Sequence, residues 1–270
     1  MLRRLLLHFG DAPLSTITGE AADRARHALL RPGHAPASAL RNVYVPLQAV
    51  LTFAAHPGRA WCAPPAFDLP APGRQRTRIL LPAEADALRQ RAAPHLAALL
   101  TLGLCTGCRA SEMFGLDWPD VDLSGARIIL WEGETKAGKR RVAHLPPAAV
   151  AALASLPHRK GRVIRTPRGD DYPLSRNRGH GGQVKTALAT ACRRAGIERI
   201  GLHVLRHTWA SWHYALHRDL LRLREAGGWA SVAQVEQYAH LMPAGQEAAI
   251  RRTWGEPHPH EARTIAVAAG

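Results

Sequence analysis

The stretch from His203 to Tyr238, HVLRHTWASWHYALHRDLLRLREAGGWASVAQVEQY, constrains this chain more than any other. If it opens as a helix, His203, Arg206 and His207 stand at i, i+3 and i+4 and share one face. Two imidazoles and a guanidinium are a costly way to build a core. They are a good way to hold a phosphate, because a guanidinium forks onto anionic oxygens and imidazoles add donors. A solvated surface helix carries the same pattern, so the reading depends on what the rest of the chain supplies.

Charge supplies the first support. The 270 residues hold 36 Lys+Arg against 21 Asp+Glu, a net charge of +15. That balance implies a polyanionic partner, with nucleic acid first. A membrane surface would call for a long basic amphipathic helix, and none stands out. No apolar run approaches the roughly 18 residues of a membrane span. The opening MLRRLLLHFGDAP is too short in its apolar part for a signal peptide and has no small-residue cleavage site. The expectation is a cytoplasmic, nucleoid-associated protein with no membrane contact.

Cys62, Cys105, Cys108 and Cys192 include one CxxC spacing. A zinc site needs a second pair or well-spaced histidines, and a redox motif needs a βαβ context. Neither is present, so reduced packing residues are expected.

Taken in order, residues 1–75 read as a small helical unit. It has one helix near 20–30 and another after Pro46, where Leu47, Val50, Leu51 and Ala54 follow helical spacing. The proline-rich CAPPAFDLPAPGRQRT at 62–77 reads as a linker. Its basic end, with Arg74, Arg76 and Arg78, suits either a phosphate backbone or solvent. Helices follow at 82–92, started by Pro82, and at 94–104. The glycine of Thr106-Gly107-Cys108-Arg109 breaks the second, leaving Arg109 at a turn before a short helix. Taken singly, such an arginine is more often structural. Residues 126–131 and 140–145 form a hairpin with Lys136 at its tip. A helix at 147–156, a strand at 162–166, a loop, and a basic helix at 183–195 precede the opening stretch, and Gly227-Gly228 ends the helix before Trp229. The fold class is mostly α with a small antiparallel β-sheet (α+β).

Four separated pieces now stand together: TGCRASEMFGLDWPDVDL at 106–123, TKAGKRRVAHLP at 135–146, HVLRHTWAS at 203–211 and GGWASVAQVEQYAHL at 227–241. Their wording and order resemble the tyrosine recombinase (phage integrase) family. The resemblance implies a catalytic recombinase domain at 76–250, a short core-binding-like DNA-binding domain at 1–75 with a weak match, and a C-terminal tail at 251–270. It implies Tyr238 as nucleophile, Arg109 and Arg206 as the paired phosphate-binding arginines, His203 as the histidine of the HxxR motif and Lys136 as the hairpin lysine. Trp229 falls where the family most often has histidine, nine residues before the tyrosine as the family's usual gap requires. Glu112 matches an acidic position supporting the first arginine and the histidine. His207 and His240 stand near the site as supporting residues.

These residue types suit the chemistry. Attack on a DNA phosphodiester builds negative charge, which two guanidiniums stabilise. A tyrosine hydroxyl, with a pKa near 10, is a poor nucleophile until its proton leaves. His203 is a candidate to take that proton, and Lys136 to protonate the departing 5′ oxygen. Trp229 can donate or pack, but an indole cannot act as a base. No metal and no nucleotide cofactor is implied. The partners implied are double-stranded DNA and a homotetramer on two DNA sites. The tail after Pro243 docks either on a neighbouring subunit or on its own domain.

Two rivals remain. One is a catalytically inactive or truncated DNA-binding regulator derived from an integrase. The other, a metal-dependent nuclease, is disfavoured because Asp117, Asp120 and Asp122 read as a loop rather than a metal cluster.

Overall fold

A computed structural model describes residues 2–33, 36–63, 69, 77–131, 140–173 and 184–256. The chain divides into two compact units, Met1–Arg76 and Thr77–Gly270. Arg74, Arg76 and Lys136 lie outside the described residues.

In the first unit, α1 (Leu2–Phe9), α2 (Gly19–Leu29), the single turn α3 (Pro36–Ala39) and α4 (Val45–Ala54) surround a small core of Leu5, Ala22, Ala25, Ala39, Val43, Tyr44 and Leu47. Thr18 caps α2 through the Ala21 amide, as its hydroxyl chemistry favours. Leu47, Leu51 and Ala54 are buried at the expected spacing, whereas Val50 turns outward. The opening apolar patch folds as α1, which buries Leu5 and leaves Leu2, Leu6 and Leu7 exposed.

The second unit is built around α6 (Pro94–Thr106) and α10 (His203–His217). α6 is buried from Leu96 to Thr106 except at Ala97, so it is a central helix without a polar face. Gly103 lets α10 approach closely: a Cβ there would stand 2.9 Å from Leu205 Cδ1. Pro82 opens α5 (Pro82–Arg91) and Pro94 opens α6. The extended segment before α5 is tied to α10 twice: Thr208 Oγ1 accepts from the Leu80 amide at 2.9 Å, and Trp212 Nε1 donates to Leu80 O at 3.1 Å. Arg78 turns inward to Glu84 and the Ile79 carbonyl, so its guanidinium is engaged within the unit.

After α7 (Ala110–Gly115), β1 (Val121–Asp122), β2 (Arg127–Trp131) and β3 (Arg140–His144) form an antiparallel sheet in the order β1-β2-β3. The register pairs Ile128 with Ala143 and Leu130 with Arg141. Ile128, Leu130 and Ala143 are buried, so the twofold alternation of the strand turns Arg141 inward as well. This is the predicted hairpin.

The strand expected at 162–166 does not form. Arg162 and Arg165 make isolated bridges to Asp117 and Asp171 instead. A left-handed Gly161 and a tight turn closed by Thr166 and Gly169 leave no run long enough to pair.

α8 (Pro147–Ala154) and α9 (Lys185–Arg194) complete the frame. α10 ends at a left-handed Arg218, and Asp219 then caps α11 (Leu220–Gly227) through the Arg222 amide. Two short 3-10 turns, Val232–Gln234 and Glu236–Tyr238, carry the chain back onto α10.

The last described helix, α12 (Glu247–Trp254), docks on its own unit: Ile250 and Trp254 are buried, Trp254 Nε1 donates to Leu104 O at 3.0 Å, and Thr253 meets Asp86. The boundary expected between residues 250 and 251 falls inside this helix. Among the described residues no helix is long and apolar enough to cross a membrane.

His213, on α10, is buried with its Nδ1 unpartnered among the described residues. Burial first, then the neighbouring His217 and Arg222, push its pKa down to about 3, while Asp219 opposes them. The unfolded chain therefore takes up a proton near pH 6.5 that the folded chain refuses until about pH 3. Stability is full above pH 6.5 and falls as pH drops below it, by up to about tenfold in the folding equilibrium per pH unit. His213→Leu is expected to flatten the fall of melting temperature between pH 7 and 4.5. An unchanged slope would remove His213 as its source.

Candidate active site

Three arginines from distant parts of the chain meet at the C-terminal end of α11. Arg141 Nη1 donates to Ala226 O at 3.0 Å, Arg206 Nη2 to Gly227 O at 2.7 Å, and Arg109 Nη2 to Gly228 O at 3.2 Å. The last carbonyls of a helix lack intrahelical partners and carry the negative end of its dipole, so cations are favoured there. Each carbonyl in turn is taken by a different guanidinium.

Glu112 is the one carboxylate in these contacts. Its oxygens accept from the Arg109 amide at 2.6 Å, Arg109 Nη1 at 3.0 Å and Arg141 Nη2 at 2.8 Å. The first bond caps the start of α7 from Glu112 alone, which fixes Arg109 at the helix start. Among the described residues, one carboxylate stands against three guanidiniums, a balance that suits an anion.

Arg206 is the most deeply set, 2 % exposed, and also donates through Nη1 to Gly107 O at 2.8 Å. Burial, then Arg109, pull its pKa down to about 10, still well above neutrality. Its guanidinium lies over the Trp229 ring at 4.0 Å, a cation–π contact. Trp229 stacks in turn on Trp209, 6.2 Å between centroids and 16° from parallel. Gly107 and Gly227 make room for these rings: a Cβ at Gly107 would lie 2.1 Å from Trp209, and one at Gly227 1.8 Å from Trp229.

Tyr238 closes the cluster. It is 3 % exposed, its ring is 5.6 Å from Trp229, and its hydroxyl lies 2.8 Å from His207 Nδ1. Burial raises the phenol pKa and Arg206 partly offsets this. His203 is exposed and stands edge-on to His207 at 4.4 Å. Burial, Arg206 and Arg109 all lower its pKa, and His207 is pushed down to about 4 by burial, His203 and Arg206. Both shifts favour the neutral imidazole, most strongly at His207.

The structure thus brings together Arg109, Glu112, His203, Arg206, His207, Trp229 and Tyr238. His240 is exposed, and no hydrogen bond or ring contact among the described residues joins it to the cluster. Sequence reasoning missed Arg141. The signal was present, because a hairpin strand at 140–145 that buries Ala143 must also turn Arg141 inward.

The other tyrosines are engaged elsewhere. Tyr44 donates to Asp23, Tyr172 packs on Phe114 at 4.9 Å, and Tyr214 lies beneath Arg218. Cys105 and Cys108 are buried free thiols, raised by burial to about 12 and about 11. Asp117 pairs with Arg162, Asp120 accepts from Trp131 Nε1, and Asp122 closes a turn with Ser124, Gly125 and Arg127. Among the described residues no group of three His, Cys, Asp or Glu is placed to hold a metal ion.

The model of the phage integrase family matches residues 77–245, which cover the arginines, both histidines, the tryptophan and the tyrosine. The chain belongs to the phage integrase family. This integrase-family chain is 31% identical over 186 residues to the integrase of Salmonella phage P22, covering 66% of the chain and 48% of that relative. It is 32% identical over 209 residues to the tyrosine recombinase XerD of Mycobacterium leprae, covering 70% and 64%. The chain spans about half the length of several curated relatives it matches, as the 48% and 51% shares show. Among solved structures, a lambda integrase (75–356) dimer bound to a COC′ core site shares the fold at TM-score 0.65 and 19% identity, over 91% of this chain and 87% of that one.

Proposed function

We propose that this chain is a site-specific DNA recombinase that cleaves and rejoins strands through a 3′-phosphotyrosyl bond at Tyr238. One observation carries the reading: the Tyr238 hydroxyl is buried beside Arg206, in a cluster where, among the described residues, three guanidiniums face Glu112. Arg109 and Arg206 hold the non-bridging oxygens of the scissile phosphate and stabilise the charge that builds on attack. His203, exposed at the mouth, donates to the same phosphate. Trp229 packs Arg206 in place. Glu112 and Arg141 are positioning residues that fix Arg109 against α11.

Lys136, which lies between β2 and β3 in the sequence, protonates the departing 5′ oxygen. The partners are double-stranded DNA and three further copies of the chain, holding two duplexes. The chain's place is the cytoplasm, on the nucleoid or a mobile element. The 1–75 region acts as a small DNA-binding unit.

The test is covalent capture. Nicked duplexes carrying a random core are incubated with the protein in EDTA, and adducts that survive denaturation are recovered and sequenced. Wild type should trap a defined sequence, and Tyr238→Phe should trap none. Binding without adduct would favour the non-catalytic regulator, and EDTA-sensitive cleavage without adduct would favour a nuclease.

A further inference from the structure

The geometry points to His207 as the group that takes the proton from Tyr238 when its hydroxyl attacks phosphorus. This rests on the strand-transfer reading and assigns a step that reading leaves open. Among the described residues, the one hydrogen bond of the Tyr238 hydroxyl is to His207 Nδ1, at 2.8 Å. Tyr238 is 3 % exposed, so bulk water has little access to it.

Among the described residues, the other groups beside the phenol cannot accept a proton. Arg206 has five N–H donors and no acceptor, and the indole of Trp229 is a donor only. His203, the candidate on sequence grounds, is exposed and touches His207 rather than the phenol. Its ring stands 82° from that of His207, so it buttresses the imidazole.

The helix makes the arrangement economical. His207 directly follows Arg206 on α10, so one turn presents both the phosphate-holding guanidinium and the base. The 3-10 turn Glu236–Tyr238 then delivers the hydroxyl to Nδ1.

The step balances. The Tyr238 O–H bond breaks and its proton passes to Nδ1. Oη bonds to phosphorus, and the bond from phosphorus to the 5′ oxygen breaks. That oxygen takes its proton from the acid assigned to Lys136. In the rejoining step a 5′ hydroxyl attacks phosphorus and passes its proton back to the group assigned to Lys136, the bond from phosphorus to Oη breaks, and His207 returns its proton to Oη. His207 is neutral at pH 7, so a ring lone pair is open, and the same burial that keeps it neutral makes it a weak base in the free protein. The phosphate's negative charge, arriving beside His207, favours the imidazolium that forms.

The test uses the captured duplex and the full chain. His207→Ala and His207→Gln are expected to slow adduct formation by roughly 10²–10⁴-fold while leaving duplex binding intact. Placing a more acidic difluorotyrosine at position 238 should recover most of the loss in His207→Ala and change wild type little, because an already ionised phenol needs no base. A loss that ignores phenol acidity, or no loss at all, would overturn the assignment. So would ¹⁵N NMR of the free protein showing a proton on His207 Nδ1, since a base must present a lone pair there. If wild type itself forms no adduct, the strand-transfer reading fails; if wild type reacts and His207 variants match it, the base assignment alone fails.

Discussion

Arg206→Ala is expected to cut adduct formation by roughly 10³-fold or more, the range seen when a charge-stabilising donor is removed from a phosphoryl or acyl transfer site. The same change should lower melting temperature by roughly 5–10 °C, leaving a folded protein to assay. It orphans Gly107 O and Gly227 O, at a cost of about 1–3 kcal/mol each. Removing a buried cation from beside Arg109 and Arg141 offsets part of that.

Binding to duplex should survive at low salt, because it draws on the +15 charge of the whole chain rather than on one buried guanidinium. Arg206→Lys sharpens the point. A lysine keeps the charge but cannot span Gly107 O, Gly227 O and a phosphate with a planar fork, so it should restore stability more than rate. If binding and adduct fell together in a folded Arg206→Ala protein, Arg206 would be a general DNA contact. The check is melting, salt-dependent binding and adduct rate on one preparation.

Arg206 also shows what was legible in the sequence. Its meeting with Trp229 and Tyr238 was readable because HxxRH, a downstream tryptophan and a tyrosine nine residues later make a pattern that few other needs would produce. The helices around it were readable because prolines open α5 and α6 and glycines close α6 and α11. The contacts that set each residue's role were not. That Ala226, Gly227 and Gly228 offer successive carbonyls to Arg141, Arg206 and Arg109 depends on three distant segments converging.

His203 and His207 are equivalent on a helical wheel, and only the return of the chain through two 3-10 turns decides which one meets Tyr238. The run at 162–166 had strand composition, but nothing local says whether a neighbour exists for it to pair with. The docking of α12 was undecided for the same reason: an amphipathic face does not name its partner.

Gly107→Ala is expected to be far more damaging than Gly196→Ala, although both glycines sit in the left-handed region at φ +64 and +69. Left-handed backbone alone costs an L-residue about 1–2 kcal/mol, and both variants incur it. At Gly196 nothing lies within 4 Å of the new methyl. At Gly107 the methyl would stand 2.1 Å from Trp209 Cε3, inside contact distance of a buried ring that cannot swing into solvent. Overpacking of that kind adds about 1–3 kcal/mol.

The consequences pass along the stack. Trp209 must shift, Trp229 rests on it, and Arg206 rests on Trp229 while holding Gly107 O. Gly107→Ala should therefore lower the melting temperature by roughly 10 °C and also slow adduct formation. Gly196→Ala should lose only a few degrees and keep its rate. Equal losses in the two variants would mean that backbone conformation alone explains Gly107. A large stability loss with an unchanged rate would separate the tryptophan stack from the reacting groups.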